Sequence, residues 1–434
     1  MIINVLKYKI PDTTNYFIVF DKSISFLPRI LKILSAVLFF IVPNIYAQQL
    51  QMYIQEAEQN NPKIQAFELR YEVAKEKIEE ISLPNTQFGV GYFVSKPETR
   101  TGAQEARFSV KQMLPWFGTI NAREKYAGSL AETEYINIEI VKRKVTLAVS
   151  ESYYKLFAIT SKLSLLDENI TLLEIHEQML LKSIEVGKSS LVDVLKLQIY
   201  KNDLLERKEI LEQNFLSEQG IFNAHLNRVS SSKIIVPETM IIPVANNVIE
   251  LESDSIQFNP ELLKYDALYE SIVKSDLVNQ KEGSAQIGFG VDYIPVSERT
   301  DMFIVDNGKD IIMPMVSISI PLFGKKYDSK IRQNQFRKEE IKAQKKEKEN
   351  VMKVLLGKAI SGRNSAIIKN NTQKNNLKQL KKVEGILLKN YETGIIDIEN
   401  IIDINAAQLK SRNIQIESIQ NYYIQTSIIN YLTN

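Results

Sequence analysis

Two histidines, His176 and His225, and no cysteine are the only classical nitrogen and sulfur ligands in this 434-residue chain. Thiol nucleophiles, iron–sulfur clusters, cysteine zinc sites, disulfides and cysteine-borne lipid anchors are therefore excluded. Two histidines are too few for a multi-histidine metal site within one chain. No Ser/His/Asp order or paired-carboxylate pocket stands out among carboxylates that are spread everywhere. Gly288-x-Gly290 lacks both a third glycine and a following helix, so it is not a dinucleotide loop. Lys325–Lys353 is dense in Lys, Arg and Glu and reads as a solvated helix face rather than a nucleic-acid patch. With 54 basic against 52 acidic residues, the net of +2 excludes a nucleic-acid binder held by bulk charge. A hydrophobic content of 44% at that low net charge excludes a disordered chain. The expectation is a protein that is not an enzyme and carries no metal, cofactor or nucleic acid.

The elements that could position anything begin after residue 47. Residues 27–47 run from Arg29 and Lys32 through an apolar Ile33–Val42 to a small Ala47, the pattern of a secretory signal peptide. The apolar run is shorter than the ~20 residues of a spanning helix. Residues 1–47 are thus read as a signal peptide, with 1–22 an atypical N-terminal extension. Five of the basic and two of the acidic residues lie there, which leaves the mature chain 49 basic and 50 acidic, a net of −1.

The remainder is one unit written twice. Asn61-Pro62 returns as Asn259-Pro260, and Gly89-Val90-Gly91-Tyr92 as Gly288-Phe289-Gly290 with Tyr293. Pro115-Trp116-Phe117-Gly118 returns as Pro321-Leu322-Phe323-Gly324, and Gly187 as Gly394. The order is kept and the offset only grows, mostly between the second and third landmarks, so a loop there is longer in the second copy. The repeats span 48–245 and 246–434, and Val229–Asp254, with Pro237 and Pro243, is the irregular joint.

Each repeat opens with a Pro-initiated helix, Pro62–Ser82 or Pro260–Glu282, where proline's missing N–H costs nothing. Strand pairs follow at about 86–113 and 285–320, with spanning-length strands of about 9–11 residues. Phe88, Val90, Tyr92 and Val94 alternate with Gln87, Gly89 and Gly91, while Ile287, Phe289, Val291 and Tyr293 alternate with Gly288, Gly290 and Asp292. Long helices come next, at about 120–186 and 325–393, each about 100 Å long at 1.5 Å per residue. Leu163, Leu166, Ile170, Leu173, Leu180 and Ile184 keep the 3–4 spacing of coiled-coil packing, and His176 falls on that stripe as a packed residue. Return helices at about 191–227 and 399–432 complete each copy. A return helix plus a Pro-initiated helix nearly equals one long helix, so long helices should pair with two shorter ones stacked end to end.

Four strands with an apolar aromatic face cannot close a barrel, and an open edge in lipid costs several kcal/mol per unpaired group. Barrels need eight or more strands, which four per chain supply as a dimer or, with twelve, as a trimer. The run Lys111-Gln112-Met113-Leu114-Pro115-Trp116-Phe117-Gly118-Thr119, the two-fold repeat and the paired glycine turns resemble the TolC family of outer-membrane efflux proteins over the whole mature chain. The Pro-Trp-Phe-Gly run especially resembles members found with metal or multidrug efflux pumps.

The resemblance implies a mainly α fold with a membrane β-barrel contribution. It implies a homotrimer forming a 12-stranded β-barrel and a 12-helix α-barrel, placed in the outer membrane and extending into the periplasm. It further implies an exit duct for a tripartite efflux or type I secretion system, partnered by outer-membrane lipid, a periplasmic adaptor and an inner-membrane pump. The rival reading is a periplasmic coiled-coil adaptor or structural protein without channel activity. Phe88, Val90, Tyr92, Ile287, Phe289, Val291 and Tyr293 would face lipid, and Pro115, Phe117, Gly118, Pro321, Phe323 and Gly324 would turn strand into helix. Val186, Gly187, Ser189, Thr393 and Gly394 would form the tip turns that dock the adaptor. Asp193 and Tyr391 match two of three residues that hold the family's periplasmic gate shut. The third, an arginine, is Ile396 here, which puts an Asp–Arg gate in doubt. Asp193 also suits a helix N-terminus, where a carboxylate complements the dipole.

Overall fold

The computed structural model describes residues 48–185, 187, 189–243 and 253–433; the signal-peptide expectation over 1–47 lies outside them. The chain separates into Met1–Met52 and Tyr53–Asn434, and the second unit holds the architecture described below. Residues 48–60 are helical (α1). α2 (Pro62–Glu79), β1 (Gln87–Tyr92), β2 (Glu98–Thr99), β3 (Gly102–Gln104), β4 (Ala106–Leu114), α3 (Thr119–Glu185) and α4 (Leu191–His225) follow. A 3-10 turn, Ser253–Phe258, then leads to α5 (Pro260–Glu282), β5 (Gln286–Ile294), β6 (Val296–Ser297), β7 (Ile311–Ser319), α6 (Lys325–Glu392) and α7 (Ile398–Thr433).

α3 and α6 have 67 and 68 residues, and no interior proline breaks either. At 1.5 Å per residue each is about 100 Å long. α2 and α4 pack along α3, and α5 and α7 lie between α3 and α6. The short helices meet end to end at two asparagines. Asn61 caps α2 by accepting the Lys63 N–H, and its amide donates to the last-turn carbonyl of α4, His225 O, at 2.7 Å. Asn259 repeats the arrangement in α5, accepting the Glu261 N–H and donating to Tyr431 O at 2.8 Å and Leu432 O at 3.2 Å in α7. One side chain thus satisfies orphan groups on two helix ends at once. Each joint has its own core: Tyr53, Tyr153 and Phe222 rings meet at the first, while Ile256, Leu262, Met352, Leu356, Ile429 and Leu432 fill the second.

The four longer strands form one antiparallel sheet in the order β1-β4-β5-β7, and β2-β3-β6 form a smaller one. Phe88 pairs with Val110, Val110 with Val291, Phe108 with Tyr293 and Ile287 with Ile318. Cross-strand partners share a face, so the apolar residues form one continuous surface. Glycines line the opposite face, where a Cβ on Gly288 would collide with Met113 Sδ and Ser317 Oγ. β4, β5 and β7 have nine residues, but β1 has only six, shorter than the expected spanning length. It is an edge strand here, paired on one side only. α2 ends at Glu79 rather than Ser82, with Glu80 as its C-cap and a last, tighter bond from Ile81 N–H to Ile78 O.

Asn259 is the more buried of the two joint residues and makes two outgoing bonds against one for Asn61. Asn259→Ala should therefore destabilise by about 2 kcal/mol, and Asn61→Ala by about 1 kcal/mol. Denaturant unfolding of purified protein measures both, and equal values near zero would remove the joints from the stability argument.

Candidate functional site: an apolar strand face, two turns and a helical tip

Every strand on the apolar face presents large side chains to the outside. Phe88, Val90 and Tyr92 are 70% or more exposed, and Phe289, Val291 and Tyr293 are exposed as well; only Ile287 is half-buried. Phe108, Val110, Ile312, Val316, Ile318 and Ile320 extend the surface over β4 and β7. The other face mixes polar residues with methionines: Arg107 pairs with the fully buried Asp292, Ser109, Lys111, Gln286, Ser317 and Ser319 lie beside them, and Met113, Met313 and Met315 share the face. Among the described residues no helix is long and apolar enough to cross a membrane.

The strand-to-helix turns after β4 and β7 differ in detail. After Pro115, Gly118 adopts φ +81°, open to glycine at little cost, and Thr119 closes the turn by donating its N–H and Oγ1 to Trp116 O. After Pro321, Gly324 keeps an ordinary φ of −71° and caps α6 without a side-chain bond. Both turns expose an aromatic, Phe117 and Phe323, and Trp116 stacks edge-on to Phe117 at 5.7 Å.

At the other end of the long helices, Gly187 and Gly394 sit in the left-handed region, at φ +69° and +75°. The N–H of Gly394 donates to Tyr391 O and that of Ile395 to Asn390 O, which satisfies the last carbonyls of α6. Thr393 Oγ1 donates to the same turn, and Ser189 lies in the loop after Gly187; Val186 lies outside the described residues. Asp193 closes a capping box: its carboxylate accepts the Ser190 N–H at 3.0 Å while Ser190 Oγ accepts from Val192 N–H. Tyr391 packs half-buried against the tip core with Leu387 and Leu388. No hydrogen bond joins Asp193 to Tyr391 among the described residues. Asp193 instead borders a cavity of about 220 Å³ between α4 and α7, beside Lys196, Glu399 and Asp403. Lys196 and Glu399 bridge α4 to α7 at 3.1 Å.

Sequence reading missed a buried polar pair just above the tip. His176 of α3 and Asn405 of α7 meet at 3.2 Å, 5% and 3% exposed, within a core of Leu166, Ile170, Leu173, Leu180, Leu204 and Leu409. His176 Nδ1 and Asn405 Oδ1 have no hydrogen-bond partner among the described residues. Burial lowers the histidine's pKa, against the opposing pull of Glu384 on α6. The histidine was legible as part of the stripe, whereas its partner, 229 residues away, was not. No group of three or more His, Asp or Glu among the described residues could hold a metal ion.

The arrangement matches channel proteins of the bacterial outer membrane. The chain superposes on CusC, whose structures concern transmembrane channel formation, with a TM-score of 0.73 at 12% identity over 89% of this chain and 92% of that one. VceC, an outer membrane protein of Vibrio cholerae, gives 0.72 at 12% over 89% and 97%. The open state of the MtrE outer membrane channel of Neisseria gonorrhoeae gives 0.67 at 10% over 89% and 88%. No family model and no curated protein matches the sequence. At such identities the likeness establishes the fold: this chain is mainly helical and has the fold of TolC-like outer-membrane channels.

A histidine held neutral in the fold contributes stability above its unfolded pKa, near 6.5, and loses it as pH falls below that value. The protein should lose thermal stability between pH 7.5 and 5.5, and His176→Gln should flatten that slope. His225, also pushed down by burial, keeps part of it. A melting series of both proteins across this range decides the matter, since parallel curves would clear His176 of any role.

Proposed function

We propose that this protein is the outer-membrane exit duct of a tripartite export system. Three copies close a twelve-stranded barrel, continued by a twelve-helix tunnel into the periplasm. The duct does no chemistry; an inner-membrane pump and a periplasmic adaptor, which docks at the Gly187 and Gly394 turns, supply energy and coupling.

The observation that carries this reading is the shared order of the two layers. Strands run β1-β4-β5-β7, and helices run from the α2/α4 stack through α3 and the α5/α7 stack to α6. β1 is fed by α2, and β7 leads into α6, so both layers end on the same two chain segments. β1 and β7 each have one unpaired side. α4 exposes Leu195, Ile199, Ile210 and Leu216, and α6 exposes Phe336, Val354, Ile368 and Ile386. One head-to-tail contact would pair β7 with the next β1 and bury α6 against the next α2/α4 stack. Such a heterologous contact generates a ring when its rotation closes. Three copies give twelve strands, within the range that outer-membrane barrels need. Lipid then covers Phe88, Val90, Tyr92, Ile287, Phe289, Val291 and Tyr293, and the aromatic turns at Phe117 and Phe323 mark the membrane boundary. The polar, glycine-lined face lines water.

Asp193 and Tyr391 form the gate at the tip, without the arginine that position 396 would have supplied. Cargo, whether metal ion, drug or protein, is chosen by the pump.

Light scattering of the detergent-extracted particle from outer membranes should return a protein mass three times that of the mature chain. A soluble monomer or dimer would leave only an exported coiled-coil protein. Val291→Arg should cost about 2–4 kcal/mol at mid-membrane and deplete the trimer from that fraction. In planar bilayers, Asp193→Ala with Tyr391→Ala should raise the closed-state conductance severalfold; an unchanged conductance removes the gate.

A further inference from the structure

The chain as a whole is nearly neutral, yet one cleft gathers positive charge. It lies among α2, α3, α5 and α6, with a volume of about 390 Å³. Lys63, Phe67 and Arg70 project from α2 at i, i+4 and i+7, one face of a helix. Lys144 comes from α3, Lys264 and Tyr265 from α5 and Lys348 from α6. Five cations stand against two carboxylates, Glu134 and Glu261, a net of +3 where the entire sequence carries +2.

The carboxylates do not cancel the ring. Glu261 is 7% exposed, and burial alone would raise its pKa. Hydrogen bonds from Lys144, Lys348 and Tyr431 outweigh that and hold it at about 2. It is therefore a fixed anion already shared by two lysines. Glu134 accepts from Asn137 at 3.1 Å. Lys63, Arg70 and Lys264 are left with no side-chain hydrogen bond or ion pair among the described residues, and Arg70 lies 4.8 Å over the Phe67 ring.

The floor is apolar. Ile140 and Val141 of α3 line it together with the rings of Phe67 and Tyr265. These two rings occupy equivalent positions of the two repeats, five residues after Pro62 and Pro260 in each case. The pseudo-symmetric partner of Lys63 is Glu261, so the repeats have kept the aromatic pair and diverged in charge. Unpaired cations around an apolar, two-ring floor of this volume fit a ligand with a charged end and a flat body.

We propose that this cleft binds a small organic oxyanion, one carrying carboxylate or phosphate groups on an apolar body, independently of the channel reading. Lys63, Lys264 and Arg70 contact the charge, and Phe67 and Tyr265 sandwich the body.

The test is calorimetric titration of the detergent-solubilised full chain at 0.15 M salt with two probes, 1-naphthyl phosphate and inorganic pyrophosphate. 1-Naphthyl phosphate should bind saturably, at one per chain. The Lys63→Gln/Lys264→Gln double variant should weaken it at least tenfold; neither side chain makes an ion pair, so the fold should survive, as circular dichroism will confirm. Glu134→Gln, which removes a rim carboxylate, should tighten it. Phe67→Leu should weaken 1-naphthyl phosphate and leave pyrophosphate unchanged. No saturable binding to the unaltered chain, or equal affinity in the double variant, would overturn the site. A fall in pyrophosphate affinity equal to that of 1-naphthyl phosphate in Phe67→Leu would overturn the aromatic half. None of these readings depends on trimer mass or conductance, so the duct can fail while the cleft stands, or the reverse.

Discussion

The architecture depends on a junction that one side chain makes twice. A helix of about 100 Å needs a partner of comparable length. Each repeat supplies it as two pieces, and the break must not leave orphan backbone groups in a packed interface. Asparagine before proline answers both needs. Its carbonyl caps the helix that proline starts, and its amide reaches the carbonyls that the preceding stack leaves open. Hydrogen-bonded on both sides of the joint, α2 and α5 run on from the stack and deliver the chain to β1 and β5. The strand layer inherits its order from the helix layer through this junction.

The strand layer obeys a second constraint, that of side-chain volume. A sheet whose outward face carries Phe, Val, Ile and Tyr has to place something small on the other face where Met113 and Lys111 cross it. Gly288 and Gly290 do this; their missing side chains make room for Met113, Ser317 and the Lys111 stem. Alternation therefore encodes two properties together. The large residues set what the outside can touch, and the small ones let the inside curve. The outer sides of β1 and β7 are left without a strand partner among the described residues of one chain, which is why the fold of a single copy already argues for neighbours.

Much of this was legible in the sequence, and the parts that were not share a cause. Period-2 alternation in 87–94 and 286–293 fixed the face, and the Asn-Pro, Gly-x-Gly, Pro-x-Phe-Gly and tip-glycine landmarks fixed the repeat. The three strands of two or three residues, β2, β3 and β6, are too short to carry any period. The pairing of β4 with β5 joins residues about 180 apart, so nothing local announces it. Ser190-x-x-Asp193 is readable as a capping box, and the structure gives Asp193 that role; resemblance alone suggested the gate. His176 with Asn405, and Lys63 with Lys264 and Lys348, come together only through helix packing. Spacing shows which side chains share a helix face, but not which faces meet.

The tip draws these threads together. Its interior is built from Leu173, Leu180, Leu197, Ile398 and Ile401, with Tyr391 packed at the rim. Isoleucine at 396 removes the charge that would have tied one tip turn to another. Closure of the proposed duct then falls to apolar packing and to whatever weak polar contacts Asp193 and Tyr391 make across copies. Apolar packing is non-directional and tolerates sliding, so a tip built this way needs some element to fix the register of α3 against α7. Two ion pairs nearer the surface also join these helices, Glu168 with Arg412 and Lys162 with Glu417; the His176–Asn405 contact is the buried directional one, and a single polar pair in an apolar seam is a known means of fixing register at a cost in stability. The unpartnered Nδ1 and Oδ1 are that cost. The buried polar pair above the turn thus adds directional specificity to a tip where the Lys196–Glu399 ion pair already joins α4 to α7.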